Sequence, residues 1–194
     1  HPDEFFKEKR ADIVIIASSD REHVPQALKA LELGYDILLE KPISDSREEL
    51  RALVDAQKKY GGKIVVCHVL RYAPGFVKCE ELLKSGVIGR LYAIDANENV
   101  VYWHWVQAFV RGQFANMELS HPTILAKCCH DLDILTSYAD SECETISSIG
   151  ELGFFKSENA PEGAADRCFE CKHKDVCPYS AKCIYIDAWH EKGE

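Results

Sequence analysis

Apolar residues come in short β-branched runs and in longer helical stripes, and the two alternate through the first half of the chain. Residues 12–17, Asp-Ile-Val-Ile-Ile-Ala, have few polar interruptions, which predicts a strand buried on both faces. Ser18, Ser19 and Asp20 supply turn and capping chemistry, and Val24, Ala27, Leu28 and Leu31 then follow at helical spacing until Gly34 stops the stripe. A second run, Tyr35 to Leu39, leads into Glu40-Lys41-Pro42. Beyond it, Ser44 or Asp45 is the expected cap of a helix that turns Leu50, Leu53, Val54 and Ala56 inward and ends at Gly61-Gly62. Residues 63–67 form a third apolar run. Strand, helix, strand, helix, strand at this spacing predicts two right-handed βαβ units on a parallel sheet. A helix from about Gly75 to Ser85 follows.

The second half is patterned differently. Leu91 to Tyr102 alternates between apolar and polar residues, which predicts a strand of an antiparallel or mixed sheet. A helix is expected from about Pro122 to Tyr138 and a further strand from Thr145 to Phe155. After residue 156 the pattern becomes loop-like, with a Cys-rich segment over 165–185. The class is α/β, in two units, about 1–88 and 89–194.

Composition narrows the field. With 23 basic and 32 acidic side chains the 194-residue chain carries a formal charge of −9, which argues against a nucleic-acid partner. No apolar run approaches the roughly 18 residues of a membrane span, so no membrane partner is expected. Nine cysteines without a secretion signal suit a reducing, cytoplasmic setting. The 11 glycines make neither G-x-G-x-x-G nor a P-loop. The start at His1, within a charged and helix-like stretch, reads as a cut into a longer protein.

Open parallel sheets bind ligands beyond the carboxyl ends of their strands. Three polar groups lie there: Ser18-Ser19-Asp20 with His23, Glu40-Lys41-Pro42, and His68 with Arg71-Tyr72. A lysine held at such an edge can hydrogen-bond a substrate hydroxyl and favour its alkoxide. On the helix over 122–138, Lys127, His130 and Asp133 share one polar stripe, either a salt-bridged surface or an acid/base site. Val101-Tyr-Trp-His-Trp105 is strongly aromatic. It is either packing or a platform for a sugar-like ring, with His104 and Arg111 offering hydrogen bonds. Cys168, Cys171, Cys177 and Cys183 fall in a 16-residue window, a spacing that suits a structural zinc site with His173 as a substitute ligand. An iron–sulfur centre or a set of free thiols fits the same residues.

Five of these segments occur in an order that resembles the Gfo/Idh/MocA oxidoreductases, relatives of glucose–fructose oxidoreductase and inositol dehydrogenase. They are Ile15-Ile-Ala-Ser-Ser-Asp-Arg-Glu-His23, Leu39-Glu-Lys-Pro42, Arg71-Tyr-Ala-Pro74, Ser85-Gly-Val-Ile-Gly89 and Cys129-His-Asp-Leu-Asp-Ile-Leu135. The resemblance runs from about residue 5 to residue 155. It implies a Rossmann-type domain for NAD or NADP, followed by an α/β domain with a mainly antiparallel sheet that often mediates homo-oligomerisation. The implied reaction is hydride transfer between the nicotinamide and a secondary hydroxyl of a sugar, cyclitol or related polyol. By motif match, Lys41 is the lysine at cofactor and substrate, and His130 is the acid/base. Ser18, Ser19, Asp20 and His23 would line the cofactor crevice, with Glu40, Pro42 and Arg71 in support. Lys127, Asp133, His104 and Arg111 are further supporting candidates. Many members place an aspartate four residues before the histidine, where this chain has Ala126. That departure leaves a non-catalytic, dinucleotide-binding regulator of the same fold as the alternative. The first βαβ unit, with its glycine fingerprint, is not in the sequence, so the 194-residue chain alone is expected to bind NAD(H) weakly or not at all.

Overall fold

The computed structural model describes residues 1–188. Its elements run α1 (Pro2–Phe5), β1 (Ile13–Ile16), α2 (His23–Glu32), β2 (Asp36–Leu39), α3 (Arg47–Tyr60), β3 (Ile64–Val66), α4 (Pro74–Ser85), α5 (Tyr102–Trp105), α6 (Thr123–Ala126) and α7 (Cys129–Ala139). They gather into two compact units, residues 1–98 with 116–144, and residues 99–115 with those from 145 onward. None of the described helices is long and apolar enough to cross a membrane.

In the first unit the three strands are parallel, in the order β1-β2-β3. Ile16 lies opposite Leu39, and Leu39 opposite Val66, so the strands end at one level. The core forms on one face, where Val14, Ile16, Ile37 and Leu39 pack with Val24, Ala27, Ala30, Leu31 and Leu53 of α2 and α3. The expectation of strands buried on both faces is corrected: Ile13 is 61% and Ile15 67% exposed. Two successive right-handed crossovers that step the same way across a sheet put both helices on the same side.

Local chemistry accounts for the helix ends. The Glu49 amide donates to the Ser46 hydroxyl at 3.2 Å, so Ser46 caps α3, in place of the expected Ser44 or Asp45. Ser44 Oγ instead accepts the Ser46 amide at 3.0 Å and donates to the Glu49 carboxylate. Gly61 closes α3 at φ +80°, the left-handed conformation that only glycine adopts without strain. At Gly62 a Cβ would sit 2.6 Å from the Tyr35 carbonyl oxygen, so the chain can pass there only without a side chain.

The single helix expected over 122–138 is two helices, broken at Lys127 and Cys128. In a continuous helix the Ala126 carbonyl would accept the His130 amide. Here it accepts the Lys41 ammonium at 3.0 Å, and the His130 amide turns to the Lys127 carbonyl at 3.3 Å. At the break, the carbonyl left without its helical partner is taken up by a side chain from the edge of the sheet.

The strands expected over 91–102 and 145–155 are not formed among the described residues. Alternation makes a strand only where a ladder partner takes up the backbone groups, and no described segment pairs with either stretch. The mainly antiparallel second sheet is therefore not formed there. The second unit is held by aromatic contacts instead: Tyr179 meets Phe154, Phe155 and Tyr102 at ring-centroid distances of 5.5, 5.2 and 6.1 Å. The backbone from α5 continues into a π-helical turn over Val106–Val110.

Candidate functional site

Because the strands end in register, the residues two places beyond each end come to one edge: Ser18, Lys41 and His68. Backbone bonds continue past the strands, Glu40 N–H to Ile16 O at 2.9 Å and Cys67 N–H to Leu39 O at 2.8 Å. These bonds fix the level of the following loops.

After β1, Ser18 Oγ donates to Gln26 Oε1 at 3.1 Å, and the Ser19 carbonyl accepts the Glu22 amide at 2.8 Å. Asp20 Oδ2 is buried with no hydrogen-bond partner. His23 is 1% exposed, with ring nitrogens 2.8 Å from the Pro42 carbonyl oxygen and 3.2 Å from that of Ser18. It braces the first two loops from beneath.

After β2, Glu40 Oε2 accepts the Lys41 amide at 3.2 Å. Burial, and then the Glu40 carboxylate, push the neighbouring Cys67 thiol up from its ordinary range. The Lys41 ammonium crosses to Ala126, at the end of α6 and just ahead of the turn that carries His130. His130 is held below the ordinary imidazole range, first by burial, then by the Lys41 cation and then by His68. An imidazole biased to its neutral form is ready to accept a proton at neutral pH. Lys127 is lowered as well, by burial first and by Lys41 second.

Arg71 and Asp133 find each other. Arg71 Nε and Nη2 donate to the two Asp133 carboxylate oxygens at 2.6 and 2.8 Å, and Nη1 donates to Ser137 Oγ at 2.8 Å. This bidentate fork ties the loop after β3 to α7 and fixes the helix that presents His130. The guanidinium holds Asp133 below the usual carboxylate range. A carboxyl depressed in the folded state adds stability above its unfolded pKa, about 3.9, and that contribution is lost as pH falls through the folded value. The urea midpoint should therefore drop below about pH 4. Asp133→Asn should flatten that limb, and an identical acid limb in the variant would remove the pair from this account.

A second clamp went unread in the sequence. Arg21 Nη1 donates to Asp45 Oδ1 at 2.5 Å, while Nη2 donates to the carbonyls of Met117 and Ser120 at 2.7 and 2.8 Å. His121, 1% exposed, places Nδ1 3.2 Å from Asp45 Oδ2. The segment leading into α6 is thus fastened to the loop after Pro42. Nothing in the periodicity singles out these residues, since the partners lie 24 to 99 positions apart.

His104 and Arg111 belong to the second unit. His104 packs edge-on to Trp103, with centroids 5.8 Å apart. Arg111 donates to the Tyr179 carbonyl and to Tyr185 Oη, the latter at 3.4 Å. The four clustered cysteines are free, half-buried thiols. Each of three is turned to a local partner: Cys168 Sγ accepts from Arg111, Cys171 Sγ from the His173 amide, and the Cys183 thiol donates to the Lys174 carbonyl. His173 Nε2 lies 3.0 Å from the Glu162 carbonyl oxygen. Among the described residues no three His, Cys, Asp or Glu side chains come together as metal ligands would, so the expected tetrahedral centre is not assembled there.

Residues 1–68 match the model of the Gfo/Idh/MocA oxidoreductase family, described by its NAD-binding Rossmann fold. The oxidoreductase YteT of Bacillus subtilis is 27% identical over 195 aligned positions, covering 98% of this chain and 44% of its own length. Inositol 2-dehydrogenase of Rubrobacter xylanophilus is 28% identical over 144 positions, covering 74% of this chain and 38% of its own. The chain thus spans less than half the length of these relatives. Among solved structures, scyllo-inositol dehydrogenase from Lactobacillus casei with bound NAD(H) and scyllo-inositol aligns with a TM-score of 0.59. That alignment has 23% identity and covers 72% of this chain and 41% of the other, a likeness of fold.

Proposed function

We propose that this chain is a member of the Gfo/Idh/MocA oxidoreductase family, whose model its residues 1–68 match, and that it carries the proton-handling side of an NAD(P)-dependent dehydrogenase acting on a secondary hydroxyl of a sugar, cyclitol or related polyol. The observation that carries this reading is the Lys41–Ala126 hydrogen bond, which links the strand-end lysine to the segment presenting His130.

The residues at the strand edge fit a dinucleotide. Asp20 offers a buried carboxylate oxygen without a partner, the condition expected where a ligand's hydroxyl or amide completes the site. When bound, NAD(P) would take up or return the hydride. Lys41 would donate a hydrogen bond to the reacting hydroxyl oxygen and stabilise its alkoxide character. His130, kept neutral by burial and by Lys41, would accept the hydroxyl proton at a ring nitrogen. Arg71 and Asp133 would hold α7 in place while this happens.

The likeness to inositol dehydrogenases favours a cyclitol or sugar. Reduction of NAD+ or NADP+ by the whole protein, measured by absorbance against inositols, hexoses and hexitols, should show turnover on at least one. Dinucleotide binding without turnover across that panel would favour a regulator, a reading to which the buried Ala126 methyl in place of a carboxylate lends support.

A further inference from the structure

His68 has no role in the reaction as described above, yet it stands beside the residue that does the proton transfer. It follows β3 by two positions, as Lys41 follows β2. The His68 and His130 rings meet edge to face, with centroids 5.8 Å apart. Nδ1 of each ring is buried and has no hydrogen-bond partner. A proton placed on either Nδ1 would have no acceptor, which disfavours the doubly protonated ring. Two unit charges at this separation repel by several RT at an effective dielectric of about 20, less where water screens them.

We propose that His68 is a positioning residue for His130, and that the two imidazoles carry one added proton between them. The inference rests on the acid/base reading of His130. As the carbinol carbon gives its hydride to the oxidised nicotinamide, the substrate O–H bond breaks and its proton becomes an N–H of His130. A neutral His68 leaves room for that proton, and a charged His68 opposes it. The other groups facing His130 are Lys41 from the β2 edge, and Asp131 and Asp133 from α7 itself. Asp133 is already committed to Arg71, and Asp131 Oδ2 is buried with no hydrogen-bond partner. Lys41 is fixed on Ala126. His68 brings a second imidazole against His130, with an unpartnered ring nitrogen of its own.

Imidazole 15N shifts of His130 can be followed against pH in this chain, the signal being assigned by its loss in His130→Gln. The expected His130 curve is broader than a one-proton curve, and His68→Gln should sharpen it and move its midpoint upward. A one-proton curve with the same midpoint in both proteins would overturn the pairing. Should His68→Gln fail to fold, the breadth of the unsubstituted curve decides by itself. This readout needs no turnover. Coupled histidines in an inactive protein would sink the dehydrogenase reading alone, and uncoupled histidines in an active one would sink this pair alone.

Discussion

On the proposed dehydrogenase reading, replacing Lys41 with methionine is expected to lower kcat of the whole protein by about 10²- to 10⁴-fold. Methionine keeps the length and apolar stem but removes the ammonium. Three consequences follow from its place in the structure. The substrate oxygen loses its donor, so the loss falls on kcat more than on KM, because the bond strengthens as alkoxide character develops. The Ala126 carbonyl loses its partner, which weakens the tie between the sheet edge and the α6–α7 turn by about 1 kcal/mol. The cation that opposes protonation of His130 also disappears, so the His130 pKa rises and the residual activity shifts to higher pH. Lys41→Arg keeps the charge but not the point-like geometry, and should restore the pH profile better than the rate. Turnover of Lys41→Met within about threefold of the unsubstituted protein would remove Lys41 from the chemistry.

The parallel sheet and its edge were legible because both follow from local pattern. β-branched runs separated by helical stripes dictate βαβ units, and βαβ units dictate where the loops converge. The strands' one-sided burial was not legible, because Ile13 and Val14 look alike in sequence and differ only in which face the crossover helices cover. The break at Lys127 was hidden for a related reason: the stripe Lys127, His130, Asp133 obeys helical spacing, and the group that takes up the freed Ala126 carbonyl, Lys41, lies 85 residues from it in sequence. Likewise Arg71 and Asp133 were each readable as site candidates, but not as one another's partners. The segments over 91–102 and 145–155 show the opposite failure. Their alternation is real, but a strand is a property of a pair. The cysteine spacing was the sharpest local signal, and in the structure those thiols answer to neighbouring backbone and side chains, not to one centre.

Leu39→Ala is expected to cost about 2–5 kcal/mol, a large part of the roughly 5–15 kcal/mol that stabilises an ordinary domain. Leu39 is fully buried in the central strand, between Ile16 and Val66, and its carbonyl accepts the Cys67 amide at 2.8 Å. Truncation leaves a cavity at the strand end, two positions before Lys41, so the platform of the site loosens along with the core. The comparison is Ile15→Ala, one strand away on the opposite face. Ile15 is 67% exposed, and its truncation in this chain should stay within about 0.5 kcal/mol. Amide exchange at Ile37 and Leu39 under increasing urea reports the first unit by itself, free of the second unit's unfolding. With a urea slope of roughly 1–3 kcal/mol/M, the Leu39→Ala midpoint should fall by about 1 M or more, and that of Ile15→Ala should barely move. Equal losses at the two positions would mean that the second face of the sheet is covered in solution, and that the one-sided core described for this chain is wrong.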